Sequence, residues 1–185
     1  MTSPWAPVPK VSDDSKVSAK SPKERTAIIK PEMEGITHVN AYSKSSSALG
    51  RYLSNFAHAR VDTPDGRFAS VEGYWYWLGI PEGCSGRDDL RRLWGYRAKA
   101  RGRELRESIG SAGEPARIDP DFQKKIRLAV RSKLANADRS LFELPEASLP
   151  VEHYYVFGGH VRSVRGLDWL KRVWNEELAL ARSSR

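Results

Sequence analysis

Apolar and polar positions alternate with period two over residues 36–41. Ile36, His38 and Asn40 fall on one side and Thr37, Val39 and Ala41 on the other, which predicts a short strand. A serine-rich turn cluster occupies residues 43–47. Residues 60–70 predict a hairpin: Thr63, Pro64, Asp65 and Gly66 make the turn, and Val61 and Phe68 sit on the arms. The period then lengthens. Ser70 is placed to cap a helix running to about Leu78, with Glu72 in its first turn at the positive end of the dipole, and Pro81 and Gly83 close it. A second helical stretch opens at Asp88 and Asp89 and carries Leu90, Leu93 and Tyr96. Asp119, Pro120 and Asp121 form a strong helix start, with Phe122, Ile126, Val130 and Leu134 on one face and Lys124, Lys125 and Arg131 elsewhere. A last helix from Leu167 turns Leu167, Leu170, Val173, Trp174 and Leu178 inward and leaves Lys171, Arg172, Glu176 and Glu177 to water. Between these two helices, residues 151–157 are apolar and aromatic enough for a strand, which Gly158 and Gly159 end.

Several helices with a few short strands, and no repeated βα unit or glycine-rich phosphate loop, predict an α+β fold. It is mostly α-helical, with a small β-sheet and a hairpin. Residues 1–35, rich in Pro, Ser and Lys and poor in aromatics, read as a disordered leader, which leaves a single domain over residues 36–182. Six basic residues against five acidic give that leader +1, so +7 of the net +8 belongs to the domain. Such a balance favours an anionic partner: a nucleotide, a phosphate or a nucleic acid.

Composition narrows the setting. Cys84 is the only cysteine, so neither an internal disulfide nor a CxxC pair is possible, and a cytoplasmic location is expected. Without an apolar run of about eighteen residues or an apolar signal core, the chain is expected neither to span a membrane nor to be secreted. The four histidines are scattered, with no carboxylate cluster beside them, so no metal and no cofactor is expected.

Four short motifs stand in order across about forty residues: Asn40-Ala41-Tyr42-Ser43, Leu53-Ser54-Asn55-Phe56, Gly66-Arg67-Phe68 and Ser70-Val71-Glu72-Gly73-Tyr74. In order and spacing this segment resembles the ligand-pocket half of a NADAR (YbiA-like) domain. The aromatic run of Tyr74, Trp75, Tyr76 and Trp77 is similar to that of phage-type members, which would suit defence evasion or DNA modification. The element Ala98-Lys99-Ala100-Arg101-Gly102 and the helix from Asp119 are similar to the next elements of the family, whereas the closing element differs: Glu152 to Gly158 stands where the family has an acidic-aromatic-Trp-Gly sequence. The resemblance implies a NADAR/YbiA-like fold and an N-glycosidase. Family members remove ADP-ribose from modified guanine, and others cleave phosphoribosyl intermediates. It also implies a nucleotide-like or ADP-ribosylated substrate, with nucleic acid as a possible partner.

The same resemblance implies the site. Glu72 matches the pocket glutamate, against the plainer reading of a helix-start charge. The family's lysine nucleophile is replaced by Gly79 and the histidine after the glutamate by Gly73. Three routes stay open: Lys99 supplies the amine, Glu72 promotes attack by water, or the domain binds without cutting. A nucleic-acid base-modification enzyme with a rebuilt pocket is a further alternative. Asn55 suits a base or ribose edge and Ser54 a phosphate, with Phe56 in the same box, although Asn and Ser equally hold turns. Tyr76 and Trp77 are the candidate stacking rings, while Trp75, Trp94, Trp169 and Trp174 read as core. Residues 87–106 hold eight basic residues against three acidic, and at helical spacing Arg92, Lys99 and Arg103 share a face that could hold a pyrophosphate or track a nucleic-acid backbone. His153 is an acid candidate, against a packed strand histidine.

Overall fold

A computed structural model describes residues 29–110, 119–163 and 166–184. In chain order these form β1 (Val39–Asn40), α1 (Ala48–Leu53), β2 (Val61–Thr63), β3 (Gly66–Phe68), α2 (Val71–Leu78) and α3 (Gly95–Ser108). Then come α4 (Pro120–Ala135), α5 (Ser140–Glu143), β4 (Val151–Glu152), β5 (Tyr154–Phe157), β6 (His160–Ser163) and α6 (Asp168–Ser183). Helices dominate this α+β arrangement, and the strands make three two-stranded sheets among the described residues. Parallel β1 and β4 join the start of the fold to its end, while β2–β3 and β5–β6 are antiparallel hairpins. No helix among the described residues is long and apolar enough to cross a membrane.

The helix expected from Ser70 is the hub. Ser70 Oγ accepts from the Gly73 amide at 2.9 Å and donates to the Leu93 carbonyl at 2.9 Å, so the cap also ties down the segment that comes after the helix. Every residue of α2 from Val71 to Trp77 is buried, so the helix has no solvent face and must be wrapped by others. It packs on α3, on α4 and on the 3-10 turn Arg87–Arg92. Phe68, Tyr74 and Trp77 cluster on one side, and Trp75, Phe122 and Trp169 on another, with Trp75 and Trp169 stacked at 5.8 Å.

Several expectations are revised. The stretch from Asp88 is not one helix: the 3-10 turn Arg87–Arg92 ends at Leu93, Trp94 is extended, and α3 begins at Gly95 with φ 58°. A left-handed glycine at that point breaks the helical register, so Arg92 shares no helix with Lys99 and Arg103. Tyr96 and Trp94 are exposed there, Trp94 stacking on His58 at 4.3 Å instead of entering the core. The strand expected over 151–157 divides at His153 into β4 and β5, and Gly158 and Gly159 are the two-residue turn into β6, both with positive φ. The serine cluster ends in a helix start, because Ser47 Oγ accepts from Gly50 N and opens α1. Glu177 is buried, not solvated: Arg127 and Arg131 of α4 both donate to its carboxylate. Residues 1–28 of the expected leader lie outside the described residues. Pro31–Met33 forms a 3-10 turn and Ser45 Oγ donates to Glu34, so the folded part begins ahead of Ile36.

A Cβ on Gly73 would stand 2.4 Å from the Leu90 carbonyl and 3.0 Å from that of Leu93. Inside an ordinary helix Gly→Ala stabilises by about 1 kcal/mol. Here Gly73→Ala is expected to destabilise by roughly 1–3 kcal/mol, because backbone must move to admit the methyl. Urea unfolding measures it, and an unchanged or higher midpoint would show that the 87–93 segment yields freely.

Candidate functional site

A cavity of about 350 Å³ opens where α2, α3 and α6 meet the ends of β1, α1 and β4. Its walls are Ala41, Tyr42 and Ser43 after β1, Ser54, Asn55 and Phe56 after α1, and Glu72, Trp75 and Tyr76 from α2. Lys99 of α3, His153, Tyr154 and Tyr155, and Leu167, Leu170 and Trp174 complete it.

Local structure explains each placement. Helical spacing puts Glu72 and Tyr76 one turn apart on the same side of α2, and the helix N-terminus favours a carboxylate at Glu72. The Glu72 amide donates to the Asn55 carbonyl at 3.0 Å, so the loop after α1 and the start of α2 move as one. Tyr76 enters because α3 carries glycine opposite it: a Cβ on Gly102 would lie 2.2 Å from the Tyr76 ring. Burial, reinforced by the Glu72 charge, holds the Tyr76 phenol above its ordinary range, while the Arg103 guanidinium opposes this from α3. Lys99 is half-buried, with its amine 5.6 Å from the Phe56 ring centroid. His153 sits at the break between β4 and β5 with Nδ1 2.9 Å from the Ala41 carbonyl. A carbonyl can only accept, so Nδ1 carries a proton. Across the cavity, Tyr154 is pinned by its hydroxyl to His38 Nε2 at 2.9 Å, and burial pushes its phenol up to about 12.

Asn55 Oδ1 is buried and accepts no hydrogen bond from the described residues. An unsatisfied buried acceptor costs on the order of 1–3 kcal/mol, which a ligand hydroxyl or N–H would relieve. A second unusual group lies behind the wall. Lys133 of α4 is fully buried, its amine donating to the Ser54 carbonyl at 2.7 Å and lying 3.4 Å from that of Leu53. Its amine also faces the Tyr52 and Trp174 rings at 5.1 and 5.3 Å.

Of the residues singled out in the sequence, Ser54, Asn55, Phe56, Glu72, Tyr76, Lys99 and His153 come together on this cavity, and Trp77, Arg92 and Arg103 do not line it. Trp77 points to the opposite side of α2, with Nε1 donating to Asp88 at 3.0 Å and the Arg87 guanidinium 3.5 Å over its ring. Arg92 is exposed beside Asp89, and Arg103 is exposed on α3. Ser54 Oγ accepts from the Phe56 amide at 3.3 Å and so shapes the turn. Trp75 and Trp174, read as core, also form cavity wall. Leu167 and Leu170 read in the sequence only as the inward face of the last helix, and Tyr155 and Lys133 do not read as site residues; for Lys133 a usable signal exists, a lysine on the same side of the α4 pattern as Ala129 and Val130. Among the described residues no group of His, Cys, Asp and Glu side chains could hold a metal ion.

The class that fold and site define is an α+β chain with a mixed carboxylate, amine and aromatic cleft. No family model, no curated protein and no solved structure matches it.

Burial pushes the Lys133 amine down from 10.5 to about 7. Between those values the unfolded chain binds the extra proton, so stability rises as pH rises from about 7 toward 10. Tyr74, Tyr76 and Tyr154 act oppositely above an ordinary value of 10.0, since their folded-state values are raised and the stability they contribute is lost as the pH climbs further. Urea unfolding across this range is expected to show a maximum between about pH 9 and 10, and Lys133→Met should flatten the rising limb. A flat wild-type curve from neutral pH upward would contradict the assignment.

Proposed function

We propose that this cleft binds a nucleotide-type, ADP-ribose-like ligand and cleaves its N-glycosidic bond, as a NADAR-like N-glycosidase. The observation that carries the reading is that Glu72, an unsatisfied Asn55 acceptor, Tyr76 and Lys99 line one cavity, and that most of these stand in the segment of the family resemblance. A volume of about 350 Å³ is at the lower end for ligand pockets. It suits one nucleoside portion, with the phosphates and any further part of the substrate reaching outward.

In this reading the bond from the anomeric carbon to the base nitrogen breaks, the base leaves with a proton, and water adds to the sugar carbon. Glu72 stabilises the developing positive charge on the sugar, takes the proton of the attacking water and passes it to the departing base nitrogen. Asn55 Oδ1 accepts from a ribose hydroxyl or a base N–H, the Tyr76 and Phe56 rings flank the ligand, and Lys99 stands for phosphate.

A second reading is favoured by Gly73 and Gly79. Neither supplies a side chain, and the packing of Gly73 against the Leu90 carbonyl leaves no room for one. A cleft without those two groups fits a module that binds an ADP-ribose-like ligand or modified nucleic acid and does not cut.

ADP-ribosylated guanosine, as nucleoside and within DNA, tests both. Wild-type protein is expected to release ADP-ribose, and Glu72→Gln to lose roughly 10²–10⁴-fold in rate while still binding. Loss of turnover in Lys99→Met, with a covalent adduct trapped by borohydride in the wild type, would transfer the main role to the amine. Saturable binding without release by any variant would establish the binding module.

A further inference from the structure

Lys133 has no part in the proposed chemistry, yet its position is costly. It is fully buried, and among the described residues no carboxylate pairs with it; burial alone accounts for its lowered proton affinity. Buried lysines without a charged partner are rare, and two carbonyls and two ring faces offset only part of the desolvation. Methionine would fill the same space without that cost.

Its contacts point to a role. The amine holds the Ser54 and Leu53 carbonyls at the C-terminal end of α1, and the Lys133 carbonyl accepts from the Tyr52 hydroxyl at 2.7 Å. The next two residues, Asn55 and Phe56, line the cavity, and the Asn55 carbonyl receives the Glu72 amide. On its other side the amine faces Trp174, itself cavity wall. We propose that Lys133 is the positioning residue of this cleft, fixing from behind the wall the rim that carries Asn55 and the Glu72 end of α2. The proposal rests on the cleft being a ligand site.

The protonated amine offers three donors and attracts both ring faces, whereas the neutral amine loses the ring attraction and the charge assistance to the carbonyls. Because burial brings the exchange between these forms to about 7, rim and ligand affinity change together across neutral pH. Charged and titratable groups on the elements around α4 are Arg51 and Tyr52 on α1, Asp62 on β2, Glu72, Tyr74 and Tyr76 on α2, and Asp168, Lys171, Arg172, Glu176, Glu177 and Arg182 on α6. Asp62 is held by Arg60 and Arg67, Glu177 of α6 by Arg127 and Arg131 of α4, and Lys171 by Glu152. His153 is the imidazole on the cavity itself.

The test tracks the backbone amide resonances of Asn55, Phe56 and Glu72 in the full chain, in wild type, Lys133→Met and His153→Gln, from about pH 6 to about 8.5. A common titration step near pH 7 is expected in the wild type and in His153→Gln, and none in Lys133→Met. Isothermal titration with ADP-ribose is expected to give wild-type affinity about tenfold tighter at the acid end than at the basic end, and a weak, pH-independent affinity for Lys133→Met. Amides that do not titrate, or a step that survives Lys133→Met or vanishes in His153→Gln, would overturn the proposal. Should Lys133→Met fail to fold, the wild-type and His153→Gln titrations still decide it. Should ADP-ribose bind the wild type at no pH, the glycosidase reading falls, while the amide titration continues to report on Lys133.

Discussion

The arrangement turns on a helix with no polar face. α2 buries Val71 through Trp77 without interruption, and a helix apolar all round is stable only when neighbours enclose it. The 3-10 turn Arg87–Arg92, α3 and α4 close on it from different sides. That enclosure is why Glu72 lies in a wall instead of on a surface. Its carboxylate belongs to a helix whose other positions are fully committed to packing, and the helix start, where the dipole favours negative charge, is the place on such an element where an acid is tolerated.

Enclosure on this scale demands close approach, and glycine provides it twice. Gly73 lets the Leu90 and Leu93 carbonyls come against α2, and Gly102 lets the Tyr76 ring lie on α3. The two have opposite consequences for the cleft. Gly102 makes room for an aromatic ring at the cavity, whereas Gly73 removes a side chain beside the glutamate. The absence of a side chain at Gly73 therefore has a packing cause within this chain, while Gly79 caps the far end of α2 and does not line the cavity.

The sequence made local features legible where one short-range mechanism dominates. The Ser70 cap, the Asp119 cap with Pro120, and the hairpin pairing Val61 with Phe68 arise from side chains acting within four residues or from turn chemistry. Where a long-range contact decides, the pattern misled. Glu177 looks solvated in its own helix, and only the arginines of α4 make it a buried ion pair. His153 lies in a run that reads as one strand; it divides because the residues before it pair with β1 and those after it with β6. For Lys133 the α4 pattern signals burial but not partners, which are the carbonyls at the end of α1, about eighty residues earlier. Part of the cavity lining, Ser54, Asn55, Phe56, Glu72, Tyr76, Lys99 and His153, was legible in motifs, but the meeting of its two ends involves β1 pairing with β4, a contact between distant parts of the chain that no local rule anticipates.

The basic bias of residues 87–106 takes a different meaning once partners are assigned. Arg91 pairs with Asp88, Arg92 approaches Asp89, and Arg101 bridges Asp89 and Glu104. Arg87 lies on the Trp77 ring and donates to the Trp77 carbonyl at 3.2 Å. Much of the cluster thus braces the 3-10 turn against α2 and α3 and is already partly neutralised, so it is a poor continuous track for a phosphate backbone. Lys99 differs: it lies on the cavity and has no carboxylate partner among the described residues. On the proposed reading, the accessible amine and the second amine sealed behind the wall would hold a small anionic ligand at a defined point, with any polymer attached to it outside the cleft. The positive charge of residues 87–106 is therefore divided: Arg87, Arg91, Arg92 and Arg101 brace the 3-10 turn, and Lys99 faces the cavity.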